Sequence, residues 1–342
     1  MSGPAFRAAG TATLPSEVVV TRGPLVESRH LIHAVVSDAH GHRLAEVGDP
    51  DLVTYWRSCA KLFQVMPLLR DGAAQRFGWG AECIALACAS HGGEPEHLER
   101  AQWMLASIGL TPSALACGPS TPLSARGLAA WRADGGPLTP LHNNCSGKHA
   151  AMLALAVHHG WAVEGYHRST HAVQRAALRE VAQWSDCAPA SIPVGIDGCG
   201  VSVFGLPLRA MAAAYARLGV AAADAASEAG QVVAALRAHP HLLAGTERFD
   251  TVLLRETQGR LIAKIGADGV HCVAAPADGL GVAVKIADGS VRVQHAAVIA
   301  VLQRVGLLRL DLPEALARFA REPVLNTRGE TVGWISVAGD VP

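Results

Sequence analysis

The chain has 342 residues, half of them hydrophobic, with 29 basic and 29 acidic side chains and a formal net charge of zero. A sizeable core is available without disulfides, and the lack of a basic excess argues against a general nucleic-acid or anionic-membrane binder. No run approaches the roughly eighteen apolar residues of a membrane span, and MSGPAFRAAGTATLP lacks the basic start and apolar core of a secretory leader. A soluble cytoplasmic protein is therefore expected, with its cysteines as thiols. These lie at 59, 83, 88, 117, 145, 187, 199 and 272. None forms a C-x-x-C pair, so zinc-ribbon and thioredoxin readings fail. Abundant alanine and only 5% aromatics favour helices packed through small side chains.

In chain order, HLIHAVVSD at 30–38 reads as a β-branched strand. DAHGH is a turn cluster and RLAEVG at 43–48 is the returning strand of a hairpin. From Ser58 the spacing turns helical. SCAKLFQVMPLLRDGAAQRFG predicts a helix kinked at Pro67, and further helices are predicted at AECIALACAS, EPEHLERAQWMLASIGL, CSGKHAAMLALAVHHG, STHAVQRAALREVAQW, PLRAMAAAYARLG and ASEAGQVVAALRAH. HGGEP, ADGGPLTP and IPVGIDGCG separate them as turn clusters. After about residue 250, GRLIAKIG, GVHCVAAP and LGVAVKIADG read as strands joined by the short turns GADG and ADG, as antiparallel neighbours are. AAVIAVLQRVGLL is a final helix and GETVGWISV a last strand.

Strands at both ends need partners. The economical arrangement is an α/β fold in which one antiparallel sheet is shared by both chain ends, with a large helical insert between its halves. The whole chain, 1–342, is expected to be a single catalytic unit, with 1–57 and 246–342 forming the sheet and 58–245 mainly helical.

Two constellations could carry chemistry. In R-S-C-A-K at 57–61, Ser58 and Lys61 are three apart at a predicted helix start, which puts both on one face. A serine hydroxyl is a poor nucleophile until a base takes its proton, and a lysine kept neutral by desolvation or a nearby cation can do so. Ser-x-x-Lys is the nucleophile motif of serine β-lactamases, although a capping serine followed by a solvated lysine gives the same pattern. That family also needs a second hydroxyl and a late Lys-x-Gly strand. Ser90-His91-Gly92 and Lys264-Ile265-Gly266 supply both, within a split sheet that carries a helical insert.

In HNNCSGKHAAML at 142–153, Cys145, Lys148 and His149 share a helix face, and Cys199 follows Asp197 in GIDGCGVS. Two cysteines and a nearby nitrogen could hold zinc. Cys145 could instead be a nucleophile activated at a helix N-terminus, or the cysteines could simply pack.

Together RSCAKLFQ, ASHGGEPEH, HNNCSGKHAAML, GIDGCGVSVFGLPL, RFDTVLL and KIGADGV resemble the Rhizobium-type L-asparaginase family. That resemblance implies the serine β-lactamase and glutaminase fold, a homodimer, and hydrolysis of L-asparagine to L-aspartate and ammonia. It implies Ser58 as nucleophile with Lys61 as its base, and Ser90 with Lys264 as a second serine–lysine pair. It implies a zinc site at Cys145, Lys148 and Cys199, and substrate binding by Arg57 and Asp197. From ligand chemistry alone His149 is a more usual donor than Lys148. The chain departs from the family pattern at Cys59, Leu62 and Asp268, where alanine, proline and glutamate are the expected residues. The competing readings are a glutaminase or other β-lactamase-like amidase, a cysteine hydrolase using Cys145, and a zinc-binding protein without catalysis.

Overall fold

The computed structural model describes residues 13–338. The strands are β1 Glu17–Arg22, β2 Leu25–Asp38, β3 Arg43–Val47, β4 Val53–Tyr55, β5 Val194–Ile196, β6 Ser202–Pro207, β7 Ile262–Ile265, β8 Val270–Ala275, β9 Leu280–Ile286, β10 Glu322–Leu325 and β11 Thr331–Val337. The chain divides into two compact units. One comprises the described residues up to Thr54, Leu206–Val220 and the described residues from Arg260; the other comprises Tyr55–Gly205 and Ala221–Gly259.

The first unit is built on an eight-stranded antiparallel sheet in the order β10-β11-β1-β2-β9-β8-β7, with β3 paired to β2. The two ends of the chain meet in it, with Val18 opposite Val337 and Val20 opposite Ile335. The predicted β2–β3 hairpin is present. Its turn is tied by Asp38, whose carboxylate accepts the N–H groups of His40 and His42, both at 2.9 Å, the Asx device that favours aspartate in turns. β9 is buried along its whole length, so both its faces are covered. Helix Gln294–Arg304 packs on β1, β8, β9 and β11. Helix Leu208–Ala221 comes so close to β9 that a Cβ on Gly281 would lie 2.0 Å from the Ala212 carbonyl oxygen, which only glycine permits. In the β7–β8 turn Asp268 has φ +56° and Gly269 φ +73°. Aspartate tolerates the left-handed region better than longer side chains do, which gives the departure from glutamate a local reason.

The second unit is helical. The predicted helices are present at Ala81–Ala87, Pro95–Ser107, Ser146–His159, Ala172–Ser185 and Glu228–Ala238. The long helix expected from Ser58 onward is not continuous. It breaks into a 3₁₀ turn Arg57–Ala60 and short helices Lys61–Gln64, Met66–Arg70 and Ala73–Arg76. Pro67 sits in the first turn of Met66–Arg70, where its missing N–H costs nothing, so the break falls before the proline. Gly72, at φ +76°, makes the next break. Helices Ala125–Asp134, Pro240–Ala244 and Phe249–Glu256 were not anticipated. Among the described residues no helix is long and apolar enough to cross a membrane.

A buried carboxylate locks part of this unit. Glu94, 1% exposed, accepts the Thr246 N–H at 2.9 Å, the Thr246 hydroxyl at 2.7 Å and the Arg126 guanidinium at 2.8 Å. Burial pushes its carboxyl up, but Thr246 and Arg126 outweigh that and hold it below the ordinary glutamate value. A depressed folded pKa contributes stability above the unfolded value and loses it as pH falls through the folded one. Glu94→Gln is therefore expected to cost about 1–3 kcal/mol near neutral pH. In urea unfolding at a series of pH values, its deficit should shrink toward zero below about pH 4. A deficit that persists unchanged in acid would show that the packing, not the charge, matters.

Candidate functional site

Eight of the nine sequence-predicted site residues, all but Lys264, belong to the helical unit. The chain enters it through Trp56, whose N–H donates to the Phe204 carbonyl at 2.8 Å and whose ring stacks on Phe63 at 4.7 Å. Arg57 follows with φ +52°, the left-handed region that a non-glycine residue enters at a cost of about 1 kcal/mol or more. Its side chain reaches Asp197, Nε to Oδ1 at 2.9 Å, and this ion pair helps offset the strain directly before Ser58.

Ser58 is half-buried in the 3₁₀ turn, whereas Cys59, Ala60, Lys61, Leu62 and Phe63 are all buried. Cys59 and Leu62 are fully buried, so both departures sit in the core and remove no reacting atom. Lys61, 1% exposed, donates from Nζ to Ser90 Oγ at 3.0 Å and also to the Ala89 carbonyl. The lysine of one expected pair thus touches the serine of the other. Burial pushes the Lys61 amine below its usual value, and the Lys148 cation adds to this, while Cys145 and Cys199 act the other way.

Asp197 and Cys199 lie in the loop of the β5–β6 hairpin, where Ile196 faces Ser202. Asp197 N–H donates to Val201 O and Gly200 N–H returns to Asp197 O, both at 2.8 Å, with Gly200 at φ +88°. This is why a glycine-rich IDGCG run forms a tight loop there. Burial raises the Asp197 carboxyl, but Lys148, Arg57 and the Gly198 N–H together bring it below the usual aspartate value.

Cys145 precedes helix Ser146–His159, positioned by its N–H to Asn143 Oδ1 at 2.9 Å. Asn143 is fixed in turn by its amide donating to Cys117 O at 2.9 Å and Gly118 O at 3.1 Å. Lys148 Nζ donates to Cys199 Sγ at 3.0 Å, and the two cysteine side chains are hydrogen-bonded. The hydrogen bond from Cys145 and the Lys148 ammonium bring Cys199 down to about 4, while the same bond and burial push Cys145 up to about 12. The Cys145 S–H donates to Asn144 Oδ1 at 3.2 Å. Burial opposes a charge on Lys148, yet Cys199, Cys145 and Asp197 outweigh it and hold its ammonium above the usual lysine value. Two buried lysines of one unit are thus driven in opposite directions, Lys61 toward the free amine and Lys148 toward the ammonium.

Among the described residues no group of three His, Cys, Asp or Glu side chains is placed to hold a metal. Cys145, Lys148 and Cys199, each at most 6% exposed, nevertheless converge as two sulfurs and a nitrogen. That donor set suits zinc, whose binding would have to displace the Cys145 thiol proton and one proton of the Lys148 ammonium. His149, the more usual donor, is tied through Nδ1 to Tyr166 Oη at 2.6 Å, and that oxygen also accepts the Ala116 N–H at 2.9 Å. Lys264 lies on β7 in the sheet unit, fully buried, with its Nζ donating to Ile265 O at 2.9 Å. The sequence reading assigned no role to His91, Ser146 or Arg248, although all three stand inside the quoted blocks. Their roles come from pairings across 55 to 158 residues, which no local spacing discloses.

No curated protein matches the chain. The L-asparaginase II family model, however, matches residues 18–337 of the 342. The chain therefore belongs to the L-asparaginase II family and is an amidohydrolase whose substrate is L-asparagine.

Proposed function

We propose that hydrolysis proceeds through an acyl-serine intermediate, with Ser58 as nucleophile and Lys61 as its base, on a serine β-lactamase and glutaminase type of fold. The observation that carries this reading is Lys61 itself. It is a buried lysine three residues after a half-buried serine, bonded to a second hydroxyl and pushed toward its neutral form. The Lys61 amine takes the Ser58 proton as Oγ attacks the side-chain amide carbon. Backbone N–H groups, that of Ser58 among them, hold the developing oxyanion. The C–N bond breaks, the proton goes to the leaving nitrogen, and ammonia departs. Water then attacks the ester, giving its proton back through the lysine and releasing L-aspartate and Ser58.

Cys145, Lys148 and Cys199 would hold zinc, which when bound supplies a fixed positive charge for orienting substrate. Lys264 is assigned to the same reaction on its late Lys-x-Gly strand motif and the family resemblance, the homodimer on the resemblance, and the cytoplasmic location on the sequence. The test is ammonia release from L-asparagine, L-glutamine and a chromogenic β-lactam, with hydroxylamine added to trap the acyl group. Aspartyl hydroxamate from asparagine is expected. Ammonia without hydroxamate would argue for direct attack by water, faster glutamine turnover would make the chain a glutaminase, and no turnover of any amide would leave a zinc-binding protein.

On this reading the Asp197 carboxylate recognises the substrate amino group. A charged hydrogen bond of about 1.5–3 kcal/mol corresponds to a preference of about 10–150-fold. Asp197→Asn should reduce by about that factor the preference for asparagine over succinamate, which lacks the amino group. Equal losses on both substrates would assign Asp197 to the hairpin loop and not to recognition.

A further inference from the structure

Ser90 is clamped through its backbone. Its N–H donates to Leu243 O at 3.0 Å, and its carbonyl accepts Arg248 at 2.7 Å. The next residue, His91, is fully buried and ties this loop to the segment that carries Cys145. Its backbone N–H donates to Asn144 O at 3.2 Å, and its ring Nε2 lies 2.8 Å from Ser146 Oγ.

The tautomer follows from the partners. Nδ1 lies 3.2 Å from the Gly93 N–H, which can only donate, so Nδ1 accepts and the ring proton sits on Nε2. Nε2–H therefore donates to Ser146. The ring is also stacked on His97, centroids 4.9 Å apart at 15°. His97 is fixed in the same way, accepting Glu94 N–H at Nδ1 at 3.0 Å and donating from Nε2 to His241 O at 3.0 Å. Substitution of the surrounding glycines is blocked as well: a Cβ on Gly92 would lie 2.6 Å from Ser124 Cβ, and Gly93 has φ +73°. The ring has one orientation, one tautomer and one side-chain acceptor.

We propose that His91 is a positioning residue, whose Nε2–H to Ser146 sets the Lys61–Ser90 pair in register with the Cys145, Lys148 and Cys199 donors. The inference rests on the proposed assignment of those groups to the reacting site. Both ends of the linkage are one residue from a functional group: His91 follows Ser90, and Ser146 follows Cys145. A shift at either end therefore passes straight into the site.

The test uses substitutions that separate the two ring nitrogens. His91→Asn can still accept Gly93 N–H but cannot reach Ser146, whereas His91→Gln can place an amide N–H near the Nε2 position. With asparagine, H91N is expected to lose about 10–100-fold in kcat, with KM within about threefold, as supporting residues of a polar site do. H91Q should recover to within about fivefold of wild type. Ser146→Ala removes the acceptor, should reproduce the H91N loss, and carries the test if H91N does not fold. Wild-type kcat in H91N or S146A, or equal losses in H91N and H91Q, would overturn the proposal. Ser58→Ala run in parallel reports separately on the nucleophile. If S58A stays active while H91N is slow and H91Q is rescued, the positioning role stands and the nucleophile assignment falls.

Discussion

Replacing Ser58 with alanine should lower kcat for asparagine by about 10⁴-fold or more, the scale seen when a nucleophile is deleted. Stability should change by no more than about 0.5 kcal/mol, since a half-buried serine in a 3₁₀ turn supplies little packing. The other candidate nucleophiles are less suited. The Cys199 neighbour and burial push the Cys145 thiol up to about 12, away from the reactive thiolate form. Cys199 is held low by Cys145 and Lys148, whose ammonium donates to its Sγ at 3.0 Å and occupies it.

Ser90 is the more serious rival, because Lys61 bonds to it directly. Ser90→Ala separates the roles. If Ser90 only orients Lys61, the variant should lose about 10–10³-fold yet still accumulate an acyl group on Ser58, read by mass spectrometry of peptides after quenching. An acyl group on Ser90 in the wild type, or unchanged turnover in S58A, would move the nucleophile away from Ser58.

Much of the sheet was legible because its signals are local. The β2–β3 hairpin announces itself through β-branched residues before the Asp-Ala-His-Gly-His turn, and the β7–β8–β9 meander through its two short turns. The broken start of the helical unit was not, because helical spacing continues through Lys61–Arg76 while the chain bends at Val65 and Gly72. Periodicity reports which residues are buried, and consecutive short helices sharing a buried face preserve it. The hairpin β5–β6 was read only as a turn cluster, since GIDGCG is a loop with a three-residue strand beside it.

The site was legible in its residue types but not in its pairings. Spacing put Lys61 beside Ser58, and nothing local could show its bond to Ser90, 29 residues on. Ligand chemistry alone favoured His149 as a donor. The structure turns its Nδ1 to Tyr166 and places Lys148 against Cys199, because the i+3 and i+4 positions of a helix lie on one face but point in different directions.

Gly147→Ala should be a damaging small substitution, because it strikes at the elements that carry the site. By propensity alone it should help: glycine inside helix Ser146–His159 is worth about 1 kcal/mol less than alanine. The packing decides the sign. A Cβ on Gly147 would stand 2.3 Å from the Leu86 carbonyl oxygen and 2.8 Å from its carbonyl carbon, backbone atoms of helix Ala81–Ala87 that cannot rotate away. The two helices must separate, at a cost of about 3 kcal/mol or more for overpacking against main chain.

The consequence for activity follows from what the helices carry. Helix Ala81–Ala87 leads into Ala89 and Ser90, which hold Lys61, while helix Ser146–His159 carries Lys148 and starts at Cys145. A separation of a few tenths of an ångström at Gly147 would pull these groups out of register, so kcat should fall by about 10²-fold even in the folded fraction. Urea unfolding and ammonia release on the same preparation would measure both. A variant more stable than wild type would mean that propensity prevails and that the helices are not held this closely. A destabilised variant with full kcat would mean that the contact supports the fold without setting the site.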